Sequence, residues 1–101
     1  MIDYRRDVPL RTEDILRVFQ ASGIRRPIDD AARIGRMFAQ SNLVLSAWEG
    51  ERLVGVCRAL TDFSYCCYLS DLAVDRAYQR RGIGRQLVYR CLLVVGRRVE
   101  Q

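Results

Sequence analysis

The hydrophobic period changes partway along the chain, and that change restricts the fold more than any other feature. Between residues 12 and 40 apolar residues recur at helical spacing. Between residues 43 and 74 the chain becomes rich in β-branched and aromatic residues, interrupted by short turn signals. The stretch "LVLSAWEGERLVGVCRAL" is two such runs around Glu49-Gly50-Glu51, a hairpin signature. "SYCCYLSDLAV", residues 64–74, is a third run. Consecutive runs joined by short turns imply an antiparallel meander, because parallel neighbours need a long crossover.

Helical and short extended segments flank this meander. "MIDYRRDV" reads as a short strand with Ile2 and Tyr4 on one face, ended by Pro9. "RTEDILRVFQASG" reads as a helix with Thr12 as N-cap, acidic residues in its first turn and Gly23 as terminator. Its stripe is Ile15, Leu16, Val18 and Phe19. A second helix follows Pro27, capped by Asp29 or Asp30, with Ala32, Ile34, Met37 and Phe38 as its apolar positions. The last stretch, "LVYRCLLVVGRRV", is apolar on most faces and reads as a largely buried helix ending near Gly96. The order is β-α-α-β-β-β-α. The expected class is mixed α/β, of the α+β type, with a mainly antiparallel sheet. A chain of 101 residues is read as a single domain, residues 1–101.

Composition excludes several chemistries. Histidine is absent, so a Ser-His triad, a Cys-His pair and histidine-liganded metals are all ruled out. The four cysteines, Cys57, Cys66, Cys67 and Cys91, form no C-x-x-C pair, and no metal site is expected. They are read as reduced core thiols, Cys66 and Cys67 included, which suits a cytoplasmic protein. No apolar run approaches the roughly 20 residues of a membrane span. All 17 cationic residues are arginine, and the formal net charge is +5. Arginine offers a planar fork to phosphate, so a phosphate-bearing partner is one reading of that charge and a solvated basic surface is the other. The arginines are spread along the chain rather than interleaved with aromatics on one element, which argues against nucleic acid.

The residues that carry chemistry lie in "DRAYQRRGIGRQL", between the third run and the last helix. Gly82 and Gly84 bare the backbone where it must approach something bulky. A helix N-terminus supplies unpaired N–H groups, and Arg80, Arg81 and Arg85 add formal charge at the same place. The arrangement suits a diphosphate. A Walker loop is excluded because the chain has no lysine, and a dinucleotide fingerprint needs a small residue where Leu87 stands.

Gln79-Arg80-Arg81-Gly82-Ile83-Gly84 matches Q/R-x-x-G-x-G/A, the acyl-CoA signature of the GNAT superfamily of N-acyltransferases. "YLSDLAV" resembles that family's fourth strand. Residues 26–60, from "RPIDDAARIG" through "GVCRAL", resemble its second helix and its second and third strands. The resemblance covers nearly the whole chain in the right order. It implies an N-acetyltransferase that takes acetyl-CoA as acyl donor and the amine of a small molecule or peptide as acceptor. It implies that the backbone at Leu72, Ala73 and Val74 bonds the pantetheine arm. It also implies that Gln79, Arg80, Arg81, Gly82, Ile83, Gly84 and Arg85 hold the pyrophosphate.

The catalytic candidates are Tyr68, where some family members carry a glutamate base, and Asp71, placed on the opposite face of the strand by simple alternation. Family domains usually continue beyond this helix with a fifth strand and a further helix, whereas this sequence stops at Gln101. Two expectations follow: a C-terminally short domain with an unpaired strand edge, and a homodimer through the strand at 65–74. The competing reading is a catalytically silent CoA-binding or protein-interaction module.

Overall fold

Residues 1–96 are described in the computed structural model, and their elements follow the expected order. These are β1 (Asp3–Arg6), α1 (Thr12–Ser22), α2 (Ala31–Ala39), β2 (Leu43–Glu49), β3 (Arg52–Thr61), β4 (Cys67–Val74) and α3 (Ile83–Val94), with a 3-10 turn at Arg76–Tyr78. The strands form one antiparallel sheet in the order β1-β2-β3-β4. A β4 residue therefore has β3 on one side and, among the described residues, no strand on the other.

Each face of the sheet carries its own core. Ile15, Val18 and Phe19 of α1 and Ile34 of α2 pack with Trp48, Leu53, Val56 and Ala73. Ile83, Leu87 and Cys91 of α3 pack on Leu45, Ala47, Val54, Cys57 and Val74 on the other face. Burying these side chains is the main source of stability, at about 25 cal/mol per Å² removed from water. The caps are local. Gly23 ends α1 at φ +84°, and the Asp30 side chain accepts from the Arg33 N–H at 3.1 Å to start α2. Thr12 is the first helical residue rather than the cap. Arg11 holds the cap position and makes no side-chain capping bond.

Two further expectations are corrected. The third run starts as a loop, because Oδ1 of Asp62 accepts the N–H groups of Ser64, Tyr65 and Cys66 at 2.8–2.9 Å. That turn holds residues 64–66 out of the ladder, leaves Cys66 exposed rather than in the core, and delays β4 to Cys67. In α3 the buried positions are confined to one face, and Tyr89, Leu92 and Leu93 are exposed. The reason is geometric: the sheet covers only one side of the helix, so an apolar sequence on both sides cannot all be buried.

Candidate functional site

β4 carries a bulge that reorders its side chains. Arg58 faces Asp71 but Ala59 faces Leu69, so Ser70 is an extra residue in the ladder. Alternation fails across it. Asp71 pairs with Arg58 and Tyr68 with Leu60, and Arg58 and Leu60 lie on the same face of β3. Tyr68 and Asp71 thus share the α1/α2 face, contrary to the expectation of opposite faces. Nothing in the sequence announces an inserted strand residue.

The main chain of β4 divides in the same way. The Asp75 N–H donates to the Val54 carbonyl at 2.9 Å, which fixes that pair as hydrogen-bonded. Antiparallel pairs alternate, so Ala73 and Asp71 direct their main-chain groups to β3, and Leu72 and Val74 direct theirs to the open edge. Of the three residues expected to present their backbone, Leu72 and Val74 do so. Ala73 faces inward and is buried.

The chain then turns sharply. Asp75 accepts from the Ala77 N–H at 2.9 Å and starts the 3-10 turn. Nε2 of Gln79 donates to the Val74 carbonyl at 2.8 Å, tying the turn to the strand end. The Tyr78 hydroxyl donates to Glu49 at 2.5 Å, which anchors the turn to the β2–β3 hairpin and pushes the phenol pKa up. Arg80 sits at φ +66° and Gly82 at φ +81°, so the turn passes twice through the left-handed region. The first helical bond of α3 runs from the Gln86 N–H to the Gly82 carbonyl at 3.0 Å. The N–H groups of Ile83, Gly84 and Arg85 therefore have no partner within the helix.

These pieces line one cleft of about 350 Å³. Leu72 and Val74 form its strand wall, and Arg80, Gly82, Gly84 and Arg85 form the other. A Cβ on Gly84 would stand 3.7 Å from Val74, so strand and helix close together there, whereas a Cβ on Gly82 would meet nothing within 4 Å. Arg81 lies apart. Its guanidinium sits 5.0 Å over the Tyr78 ring and donates to the Ala77 carbonyl at 3.4 Å. Amide donors, two arginines at the rim and an apolar wall suit a diphosphate with an extended amide-containing arm.

Beside the bulge lies a cluster the sequence reading did not assemble. Asp71 is fully buried, and its two oxygens accept from the Nε groups of Arg26 and Arg58. Arg26 also donates to the Ser70 carbonyl at 3.0 Å, and Arg58 to the hydroxyls of Ser70 (2.8 Å) and Ser41 (3.0 Å). Tyr68 is two-thirds exposed and stands on the same face. The available signal was Arg58 itself, a charge inside the apolar run "LVGVCRAL" that must find a buried partner.

A second cavity, about 380 Å³, lies between Leu10, Phe38 and Asn42. Its carboxylate, Asp7, is already engaged by the Val44 N–H and by Arg6, and the turn before α3 does not reach it.

The family model "Acetyltransferase (GNAT) family" matches residues 11–98. The chain belongs to the GNAT acetyltransferase family. A GNAT-family acetyltransferase from Streptococcus pneumoniae superposes with a TM-score of 0.80 at 27% identity, over 100% of this chain and 72% of that one. Two more distant structures share the fold. A GNAT acetyltransferase from Brucella melitensis, solved with acetyl-CoA, gives a TM-score of 0.73 at 19% identity over 94% of this chain and 68% of that one. A GNAT N-acetyltransferase from Escherichia coli, solved with CoA, gives 0.73 at 22% identity over 93% and 56%. A search of curated proteins returned no significant match. No helix among the described residues is long and apolar enough to cross a membrane.

Proposed function

We propose that this GNAT-family chain is an N-acetyltransferase that takes acetyl-CoA as acyl donor and the amine of a small molecule or peptide as acceptor. The observation that carries the reading is the cleft between the open edge of β4 and the N-terminus of α3, where Gly82 leaves room and three amides stay unpaired. The complexes of family relatives with acetyl-CoA and CoA support that choice of donor.

In this reading the N–H groups of Ile83, Gly84 and Arg85 and the side chains of Arg80 and Arg85 hold the pyrophosphate. Arg81 adds field from outside the cleft. Gln79 acts by fixing the Val74 carbonyl. Leu72 and Val74 bind the pantetheine arm as an added strand would be bound. When bound, acetyl-CoA supplies the activated acyl carbon. The chain's part is to orient that carbon and to pass the proton the amine loses to the departing thiolate. Tyr68 is the exposed hydroxyl on the strand face next to the bulge, and it is assigned that relay: its phenol gives its proton to the thiolate and is restored by the proton from the amine. Asp71 has both oxygens committed to guanidinia and is assigned to hold the bulge rather than to act as base.

The test is release of free thiol from acetyl-CoA over a panel of amines. Amine-dependent release that falls at least tenfold in Tyr68→Phe supports the assignment. Tight acetyl-CoA binding with no release for any amine favours the silent CoA-binding module instead. The open β4 edge, with Leu72 and Tyr68 exposed along it, would also suit pairing with a second copy, which would compete with the donor arm for the main chain of Leu72 and Val74. A monodisperse monomer in light scattering would exclude that pairing.

A further inference from the structure

The charges around Asp71 do not balance. One carboxylate, with no exposed side-chain surface, is shared by two guanidinia, Arg58 at 10% side-chain exposure and Arg26 at 28%. No other carboxylate among the described residues pairs with either arginine. The cluster therefore keeps a net positive charge in a place only partly open to water, where an unmatched cation is costly.

The two arginines differ in what they have left to give. Arg58 commits Nε to Asp71, Nη1 to the Met37 carbonyl and Ser41 hydroxyl, and Nη2 to the Ser70 hydroxyl. Arg26 commits Nε to Asp71, Nη1 to the Arg25 carbonyl and Nη2 to the Ser70 carbonyl. Each Nη of Arg26 keeps a second hydrogen that no described protein atom accepts. Arg26 lies in the α1–α2 connection and grips the β4 bulge from outside. A donor arm running from α3 along the open edge passes Val74 and then Leu72, and so brings its acyl end towards that bulge.

We propose that Arg26 is the anion anchor of the acceptor subsite, so that the preferred acceptors are amines carrying a carboxylate or phosphate near the amino group. The proposal rests on the acyltransferase reading and narrows it to a substrate class. A guanidinium held on one edge by Asp71 and Ser70 presents its remaining hydrogens in a fixed direction, and an oxyanion accepts them in a charge-assisted pair. Such an anion would also complete the charge balance that Asp71 alone leaves short. If Arg26 only pins the α1–α2 connection to β4, acceptor charge has no influence.

The test uses the full chain with saturating acetyl-CoA and matched amine pairs: amino acids of increasing amine-to-carboxylate distance against their methyl esters, and phosphoethanolamine against ethanolamine. The anionic member should show a KM about tenfold lower with little change in kcat, the effect of one charge-assisted hydrogen bond. The pair with the larger difference tells carboxylate from phosphate. Arg26→Gln should erase the difference, Arg26→Lys should keep part of it, and both should bind acetyl-CoA as the parent does. Equal KM values within every pair, or a preference that survives Arg26→Gln, overturn the proposal. Should no amine turn over, calorimetry of the same pairs into CoA-loaded protein makes the same comparison. If acetyl-CoA itself does not bind, the acyltransferase reading fails. The anchor is then judged by titrating the acids alone, where binding lost in Arg26→Gln sustains it and absence of binding overturns it.

Discussion

Asp71 is the buried carboxylate on which the Arg26 and Arg58 guanidinia at the β4 bulge converge. Asp71→Asn removes the only carboxylate among the described residues that pairs with the buried Arg58 guanidinium, and should cost about 3 kcal/mol in urea unfolding. A loss under 1 kcal/mol would show that water already shares the cluster. Asp62 gives a pH signature. The backbone N–H groups of Tyr65, Ser64 and Cys66 hold its pKa down to about 2. A depressed carboxylate pKa means that the turn is fully held above the unfolded value, about pH 4, and loosens as pH falls towards 2. Amide shifts of residues 64–66 followed by NMR should move with a midpoint near 2. Cys57 is pushed the other way, upward, by hydrogen bonding with Cys91 and by burial, so alkylation should label exposed Cys66 well before it. The arginine pair around Asp71 was only half legible in the sequence. Arg58 signalled a buried partner, but the approach of Arg26 from 45 positions upstream of Asp71 depends on tertiary structure.

Among the three described α-helices, α2 is the least anchored, with Ile34 as its one buried residue. Loss of its cap in Asp30→Ala should cost about 1 kcal/mol. An unchanged urea midpoint would show that packing alone holds the helix. The order of elements was readable because period and punctuation agreed: Gly23 ends α1, Gly50 turns the hairpin, and the apolar spacing shifts between residues 40 and 43. The bulge at Ser70 was not readable. It arises from the register of two strands, and a register belongs to neither strand alone. The late start of β4 has a local cause in Asp62, whose short side chain outcompetes the ladder for three N–H groups.

At the scale of the molecule, two cores clamp one sheet, and the cleft forms where β4 and α3 leave it together. The turn into α3, proposed above to hold the pyrophosphate, was legible as a turn because its features are local: two glycines, flanking arginines and a helix start in consecutive positions. The relative weight of those arginines was not, since only the fold shows Arg85 in the cleft and Arg81 over Tyr78. Arg85→Glu should therefore weaken acetyl-CoA binding more than Arg81→Glu, and the affinity of the parent should fall with added salt. The most direct test of the account is calorimetric titration of acetyl-CoA into the parent chain and into Gly82→Glu. The cleft predicts saturable one-to-one binding by the parent. It predicts at least tenfold weaker binding by the variant, whose carboxylate enters the space Gly82 leaves open, with a stability loss limited to the about 1–2 kcal/mol that a non-glycine residue costs at φ +81°. Equal affinity in the two proteins, or no binding by the parent, would contradict it.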